Sequence, residues 1–222
     1  MLQGIRRRQV DRSSETRALL IRAATDLLRT AGFSGTSTAL IAKRAGVTTG
    51  ALHHHFVTKD DLMLSVLDQS SDRVLLRLEQ QDHMTAGGGI DVGSLVAHLW
   101  EVYGDPEYWA IWEIIIGTRA DPAFHRRIVA HRLDTMRTVL HPWVRRHILS
   151  EAAEPAMLAL FEFMLIAIRG LSLERFLDKD AAYFDRHLRI LAELVGQRLD
   201  GRTAEAGRGR PAAVLHGGAE HE

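Results

Sequence analysis

Apolar residues recur at three- and four-residue spacing along most of the chain, which is the period of an amphipathic helix. Ser13, Ser14 and Glu15 are typical of a helix start, and Gly32 predicts the end of that helix. No segment carries a strand signal, and no internal repeat appears. The pattern therefore predicts an all-α protein. The first apolar stripe comprises Leu20, Ala23, Ala24, Leu27, Leu28 and Ala31.

Two short helices are predicted directly after the first. A hydroxyl at 36 or 37 can cap the second helix, and Gly46 ends it. A threonine at 48 or 49 can cap a third helix that runs to about His54. The predicted crossing of these helices has a small residue, Ala42, in the first, Gly46 in the turn and Leu52 as the buried anchor of the second. This combination favours a helix-turn-helix.

The rest of the chain predicts six more helices, for about nine in total. A capping box formed by Thr58 and Asp61 opens the first of the six. Residues 201–222 hold five glycines and no periodicity, so disorder is predicted from residue 200 onward. The predicted bounds are Lys59 to about Gln81, Asp91–Tyr103, Glu107–Arg119, Ala123 to a break or kink at Pro142, Pro155 to about Leu177, and a last helix from Ala181.

Composition excludes several classes of protein. Apolar residues make up 46% and charged residues 25%, as in ordinary globular domains. The chain has no cysteine, which excludes disulfides, iron–sulfur clusters and a thiol nucleophile. No apolar stretch follows the basic residues near the N-terminus, and the apolar run 163–168 is far shorter than the roughly 20 residues of a membrane span. We expect a soluble cytoplasmic protein with no membrane partner.

Charge is unevenly distributed although the net charge is +0. Residues 1–60 contain ten basic and four acidic residues, so this segment carries +6 and the remainder −6. A basic head on an acidic body favours a polyanionic partner at the head. A solvated helix face with clustered charges remains an alternative explanation.

The predicted eighth helix is apolar on nearly every face and must therefore be covered on more than one side. Together with the amphipathic ninth helix it predicts a two-fold interface, and hence a homodimer through the last two helices. Burial within one subunit remains the alternative. The apolar positions of the eighth helix are Met157, Leu158, Leu160, Phe161, Phe163, Met164, Leu165, Ile166 and Ile168.

Five aromatic residues fall between positions 100 and 112, and an acidic residue follows them directly. A carboxylate in such surroundings must be paired, be neutral or bind a ligand. We predict a ligand pocket with aromatic and apolar walls and a few polar anchors. The alternative is core packing with a structural Glu113–Arg169 pair. The predicted lining residues are Trp109, Trp112, Phe161 and Met164, with Glu113, Arg169 or His98 as anchors.

The stretch from Thr16 to Leu62 resembles the DNA-binding domain of the TetR/AcrR family of bacterial transcription regulators. One departure is His53, where the family usually has a tyrosine that contacts phosphate. Residues 63–222 share only a helical pattern with the family. The matching positions are Ala23-Ala24, Gly32-Phe33, Thr36-Ser37, Ile41-Ala42, Ala45 to Thr48, Gly50, Leu52, His55-Phe56 and Lys59-Asp60 through Leu62.

The resemblance implies a role for individual residues of the head. The third helix would enter the major groove, the start of the second helix would donate to phosphates, and Lys59 would neutralise a phosphate on the flanking strand. An N-terminal arm with Arg6, Arg7, Arg8 and Arg12 would reach a minor groove, add unspecific attraction or have no DNA role. The implied DNA-binding residues are Ser37, Thr38, Thr48, Thr49, Gly50, Ala51, His53, His54 and Lys59.

The resemblance also implies the function and the domain division. It implies a dimeric regulator, most often a repressor, which leaves a palindromic operator in double-stranded DNA when an unknown small-molecule effector binds. Residues 1–12 would be the basic arm, 13–60 the helix-turn-helix domain, 61–199 the ligand-binding and dimerisation domain, and 200–222 a disordered tail.

Two other functions are alternatives to this one. An all-helical, metal-dependent enzyme is disfavoured, because no glutamate precedes a histidine by three residues and no H-E-x-x-H occurs. The consecutive histidines 53–55 point about 100° apart and cannot share one ion. We therefore expect no enzymatic activity, catalytic residue, metal or cofactor. A DNA-binding protein without an effector is the third possibility.

Overall fold

The computed structural model of the protein describes residues 2–80, 83–86, 89–147 and 154–208, with side-chain positions for all of these except 2–11, 139 and 200–208. Within these ranges the chain is helical, with one isolated antiparallel bridge between Met84 and Ile90. The all-α prediction is confirmed. The helices are α1 Leu2–Gly35, α2 Thr38–Ala45, α3 Thr49–His55, α4 Lys59–Gln80, α5 Val92–Tyr103, α6 Trp109–Gly117, α7 Pro122–Thr135, α8 His141–Arg146, α9 Glu154–Leu173 and α10 Ala181–Arg208.

The predicted seventh helix is present as a kinked stretch. A π-helical turn, Met136–Leu140, joins α7 to α8 without a break, and Pro142 lies in the first turn of α8. Proline cannot donate to the carbonyl four residues earlier and its ring collides with that carbonyl, so the preceding turn widens. Counted as one helix, this stretch gives the nine helices that the sequence predicts.

Both ends of the helical region extend further than predicted. The helix α1 begins at Leu2, so the predicted start at Ser13 was wrong; arginine, glutamine and leucine favour helix, and no proline interrupts this segment. The helix α10 continues to Arg208, so the prediction of disorder was also wrong for residues 200–208. The rest of the predicted tail, residues 209–222, lies outside the described residues.

The head has its own buried centre, formed where α1, α2 and α3 meet. Helix α1 breaks at Gly32, whose φ of 73° is a conformation that side chains with a Cβ rarely adopt. The break turns the chain from α1 into α2. The fully buried side chains of this centre include Leu20, Ala24, Leu28, Ile41 and Leu52.

The head and the body share one continuous hydrophobic core. Helix α4 begins in the head at Leu62 and Met63 and reaches the body at Val74 and Leu78, all of them buried. Helix α6 packs against α1, and Gly117 makes this possible because an added Cβ would lie 2.4 Å from the Cβ of Phe33. Only glycine, whose side chain is a hydrogen atom, therefore fits at this contact.

Helix α9 is buried on one side and exposed on the other. Leu165 and Ile168 are fully buried, whereas Phe163 and Ile166 are more than half exposed. By length and composition alone, the described residues contain one helix that could cross a membrane, 154–177, with a mean hydropathy of 1.9 over 18 residues. The uninterrupted apolar run 163–168 is much shorter than this helix, so it underestimates the apolar length of the segment. A bundle helix with one face in a core passes the same test.

Candidate nucleic-acid interface and ligand cavities

Helix α2 is fixed at both ends by its own sequence. The Ser37 hydroxyl accepts a hydrogen bond from the Leu40 N–H at 3.3 Å and caps the start of the helix. Gly46 adopts the left-handed conformation (φ 69°, ψ 27°), which lets the Val47 N–H donate to the Ala42 carbonyl at 3.0 Å. These contacts confirm the predicted turn between the two crossed helices.

Helix α3 presents its first turn to solvent. Its cap is Thr48, whose hydroxyl accepts from the Ala51 N–H at 3.1 Å. Thr48, Thr49 and Gly50 are exposed, and Ala51 is partly exposed, while Leu52 is completely buried beneath them. A helix held from below by one leucine, with small and hydroxyl-bearing residues outward, can approach a DNA groove closely.

The histidines that follow have two different environments. His53 and His54 are exposed beyond the first turn of α3, where both rings could donate to phosphate or to base edges. His55 is partly buried, and desolvation together with the nearby charges of His54 and Arg17 lowers its pKa. His55 therefore belongs to the packing of the head.

Lys59 has partners inside the protein. Its Nζ donates to the Phe33 carbonyl at 3.1 Å and lies 4.1 Å from the centre of the Phe33 ring. Partial burial lowers the pKa of this lysine, and the charge of Asp60 opposes that effect. An ammonium group has three donors, so Lys59 can tie α4 to the end of α1 and still offer a donor outward.

Further basic groups surround the helix-turn-helix. Arg44 at the end of α2 pairs with Asp26 of α1 at 2.8 Å, and Arg17 donates to the Ser65 hydroxyl at 2.7 Å. Lys43, which the sequence analysis did not single out, is exposed in the last turn of α2, with no ion pair among the described side chains. Its signal in the sequence was its place beside Arg44. The side chains of Arg6, Arg7 and Arg8 lie outside those described.

A cavity of about 330 Å³ lies in the body between α4, α7 and α9. Two buried tyrosines, Tyr103 and Tyr108, form part of its wall, and Arg132 and Arg169 bring two positive charges to it. Burial raises the pKa of both tyrosines, and the two guanidinium groups oppose this rise. The apolar part of the lining includes Leu67, Val74, Ile111, Met136, Leu140 and Ile166.

A second cavity of about 320 Å³ shares Tyr103 and Tyr108 with the first, because both tyrosines line both spaces. Trp109 and Trp112 face this second cavity. The Trp112 indole N–H donates to Ser172 at 3.1 Å, and Trp109 packs closely on Phe176. The two cavities therefore share these tyrosines as part of their walls.

The structure does not bring the seven predicted pocket residues together. Arg169 lines the first cavity, and Trp109 and Trp112 line the second. Phe161 and Met164 are buried beside a void of only about 30 Å³ and belong to the core. The seven residues do not line one space, because adjacent turns of α6 and α9 face different neighbours.

The two remaining anchors also lie elsewhere. Glu113 accepts hydrogen bonds from the Phe33 backbone N–H at 3.0 Å and from the Trp109 indole at 2.9 Å. The alternative Glu113–Arg169 pair is absent from the described structure, since Arg169 donates to the Leu165 carbonyl at 3.0 Å. His98 contacts Ser94 at 3.3 Å and lies edge-on to the ring of His83. Neither anchor lines the first or the second cavity.

Arg132 was missed by the sequence analysis, although a signal was present. Positions 124, 128 and 136 of this stretch are apolar and pack inward, and Arg132 continues their four-residue spacing. A charge on the buried stripe of a helix indicates a cavity or a partner. Tyr103 and Tyr108 belong to the five aromatic residues at positions 100–112, but the predicted lining does not include them.

No group of three or more histidine, aspartate or glutamate side chains in the described part of the chain is arranged to hold a metal ion. The first cavity does contain two histidines. His141 lies 2.9 Å from Glu162, and His131 lies 3.0 Å from Asp68. Both histidines thus face a carboxylate of the protein.

Comparisons with known proteins agree with this architecture. Residues 20–66 match the sequence pattern of the tetR family of bacterial regulatory proteins. The HTH-type transcriptional regulator CymR of Pseudomonas putida is 26% identical over 204 residues, which cover 87% of this chain and 95% of CymR. A transcriptional regulator from Rhodococcus sp. Rha1 matches with a TM-score of 0.62 and 25% identity, over 83% of this chain and 97% of that one.

A further solved structure shares the fold. The multidrug binding protein EbrR, complexed with imidazole, matches with a TM-score of 0.57 and 20% identity, over 83% of this chain and 90% of that one. The exposed α3 on its capped scaffold and these relatives define a DNA-binding transcription regulator of the helix-turn-helix class. Over residues 20–66 the chain matches the tetR family, and over most of its length it is similar to transcription regulators.

Proposed function

We propose that this regulator is a cytoplasmic repressor, which binds a palindromic operator as a homodimer and is released by a small-molecule effector. The observation that carries the proposal is the outward first turn of α3, anchored by the buried Leu52, on a body that holds an organic-ligand-sized cavity. In this proposal residues 13–60 form the DNA-binding domain, and residues 61–199 bind the effector and the second subunit.

The α3 surface supports a division of labour on DNA. Residues at its exposed start would read base edges in the major groove, and hydroxyls at the start of α2 would hold phosphates. Lys59 would also contact a phosphate, through the N–H donors of its ammonium group that do not bond to the Phe33 carbonyl. The proposed contact residues are Ser37, Thr38, Thr48, Thr49, Gly50, Ala51, His53, His54 and Lys59.

The outer face of α9 and α10 supports the dimer. Phe163, Ile166 and Gly170 follow each other at three- and four-residue spacing on the exposed side of α9. Ile190 and Leu194 form a similar stripe on α10. Two such pairs of helices would bury these apolar side chains in a four-helix bundle and place two α3 helices about 34–36 Å, or a multiple of it, apart.

The first cavity supports control by a ligand. Helix α4 lines it at Leu67 and Val74, and the same helix begins in the head. EbrR, which shares the fold, is described with imidazole bound. An effector would release DNA only if it binds more tightly to a body conformation whose two heads no longer match the operator spacing.

Selection of bound sites from random duplex DNA tests the proposal. We expect a two-fold symmetric site with half-sites about one helical turn, or a multiple of it, apart. A protein that ignores every duplex at low ionic strength would contradict the DNA-binding function itself. Binding to a symmetric site that no small molecule alters would support a regulator without an effector.

A matched pair of variants locates the contact surface. In Gly50→Glu the carboxylate would face phosphates, and we expect affinity for the selected site to fall about 100-fold or more. Gly50→Ala is the control, because an added Cβ lies 3.8 Å from its nearest neighbour, the Thr48 hydroxyl. Equal DNA affinity of the glutamate variant and the wild type would remove α3 from the interface.

A further inference from the structure

Two arginines of the first cavity lack a carboxylate partner. Arg132 and Arg169 are both half-buried, and no described carboxylate lies within ion-pair distance of either guanidinium group. Arg132 interacts with the Tyr108 hydroxyl, and Arg169 donates its Nε–H to the Leu165 carbonyl. Most donors of the two groups therefore remain available. Other arginines of the body either have such a partner, as Arg127 has in Asp60 and Asp61, or are exposed, as Arg126 is.

The charge of the cavity wall is positive. Its charged residues are Arg132, Arg169 and Glu162, which gives a net charge of +1 with neutral histidines. Glu162 lies 2.9 Å from His141, so the one carboxylate of the described lining already has a partner. A half-buried guanidinium group without a counter-ion is costly, and an anion in the cavity would remove that cost.

The remaining wall favours a hydrocarbon or aromatic body on the same ligand. Leucine, isoleucine, valine and methionine side chains line the space, and the rings of Tyr103 and Tyr108 close one side. The volume of about 330 Å³ admits a small organic molecule. A planar carboxylate matches the two-pronged donor arrangement of arginine.

We propose that the first cavity binds an organic carboxylate with an apolar body, and that Arg132 and Arg169 hold the carboxylate. This inference rests on the proposed function in one respect, namely that this ligand is the effector that releases DNA. The site itself is independent of DNA. Tyr103 and Tyr108 would remain neutral inside the wall, since burial raises the pKa of each.

The test is titration of the purified full-length protein, without DNA, by calorimetry. The probes are phenylacetate, phenylbutanoate and octanoate, each compared with its neutral amide. We expect at least one acid to bind at least about tenfold more tightly than its amide, because charge-assisted hydrogen bonds to the guanidinium groups are lost in the amide. Failure of all three acids to bind, or equal binding of the amides, would overturn the inference.

Variants assign the site to the two arginines. Arg132→Gln and Arg169→Gln should each weaken binding of the acid at least about tenfold and change amide binding little. Arg137→Gln is the control, because Arg137 lies just beyond α7, is exposed and pairs with Asp134. Unchanged acid affinity in both cavity variants, with unfolding temperatures near that of the wild type, would overturn the assignment.

A DNA mobility shift with the same acid separates this inference from the proposed function. Release of the selected operator by the acid, lost in Arg132→Gln, would support both. Acid binding through the arginines without release of DNA would leave the site intact and contradict its role as the effector site. A protein that binds the acid and no DNA would contradict the proposed function alone.

Discussion

The two surfaces to which functions are proposed here are built in opposite ways. The proposed DNA-binding surface comes from a continuous stretch of about twenty residues, in which each helix start and stop is fixed by neighbours in sequence, such as Ser37, Gly46 and Thr48. The first cavity draws its wall from residues 67–169 on six helices, the turn before α6 and a π turn. A local surface can be recognised from a short motif, whereas a cavity exists only after the helices have packed.

Glu113 shows how the two regions are connected. It lies in the body, yet its carboxylate accepts the Phe33 N–H at the break of α1, and the Lys59 ammonium donates to the carbonyl of the same residue. Phe33 is therefore held from both sides, by the body and by the first residue of α4. Substitutions on the buried and exposed faces of α9 test the packing of the body most directly. Substitutions at the junction with the head then test how the two regions are connected.

The largest loss of stability is expected for a substitution in α9, which has one face in the core and the other exposed. Leu165→Glu places a charge at a fully buried site and should cost at least about 4 kcal/mol, enough to leave much of the chain unfolded. Phe163→Glu, two residues away on the exposed face, should remain folded and become monomeric. Circular dichroism and light scattering distinguish the two results. A folded Leu165→Glu protein, or a dimeric Phe163→Glu protein, would contradict the assignment of the two faces.

A smaller effect is expected where the body meets the head. Gly117→Ala would bring a methyl group within 2.4 Å of the Phe33 Cβ and should destabilise the protein by about 1–3 kcal/mol as α1 and α6 separate. Urea unfolding measures the loss. The control is Gly196→Ala on α10, where no atom lies within 4 Å of the added Cβ. If both variants have the stability of the wild type, the close contact between α1 and α6 is not formed.

The carboxylate of Glu113 allows a gentler test of the same junction. In Glu113→Gln the side chain keeps one acceptor oxygen for two donors, the Phe33 N–H and the Trp109 indole, so one hydrogen bond is lost. We expect a loss of about 1–2 kcal/mol in the free energy of unfolding and a change in tryptophan fluorescence. Glu107→Gln, whose side chain is exposed, is the control. Unchanged stability and fluorescence in Glu113→Gln would show that this contact contributes nothing.

The smallest effect is expected within the head. The hydrogen bond from Arg44 lowers the pKa of Asp26, so the pair stabilises the folded state above the ordinary aspartate pKa and loses this effect as pH falls through the lowered value. Both side chains are 45% exposed, which limits the gain to less than about 1 kcal/mol. Asp26→Asn should therefore be slightly less stable than the wild type at pH 7 and equal to it in strong acid. If the difference in stability between Asp26→Asn and the wild type is the same at both pH values, this ion pair does not stabilise the folded state.

Local signals predicted the head well, because its determinants lie within one turn of the residues they act on. The capping box of Thr58 and Asp61 is present, with the Asp61 N–H donating to the Thr58 hydroxyl at 3.1 Å. The ends of the helical region were predicted poorly. Residues 2–12 and 200–208 continue the neighbouring helices, since no proline interrupts them.

The pocket could not be predicted because helix periodicity does not show which neighbour a face will contact. Trp109 and Glu113 are one turn apart, yet one lines the second cavity and the other binds the backbone of α1. Phe161 and Arg169 are two turns apart on α9, and one lies in the core while the other reaches the first cavity. The neighbouring helices decide these outcomes.

The amino-acid sequence by itself determined the helical class, the crossed helices of the head and their resemblance to the TetR family, because caps, glycine turns and apolar spacing act over a few residues. It also indicated that α9 has more apolar surface than one face can bury. Only the tertiary structure decided which side of α9 is exposed, where Glu113 binds, and that Arg132 and Arg169 meet in one cavity. Those facts depend on residues far apart in the chain, which only packing brings together.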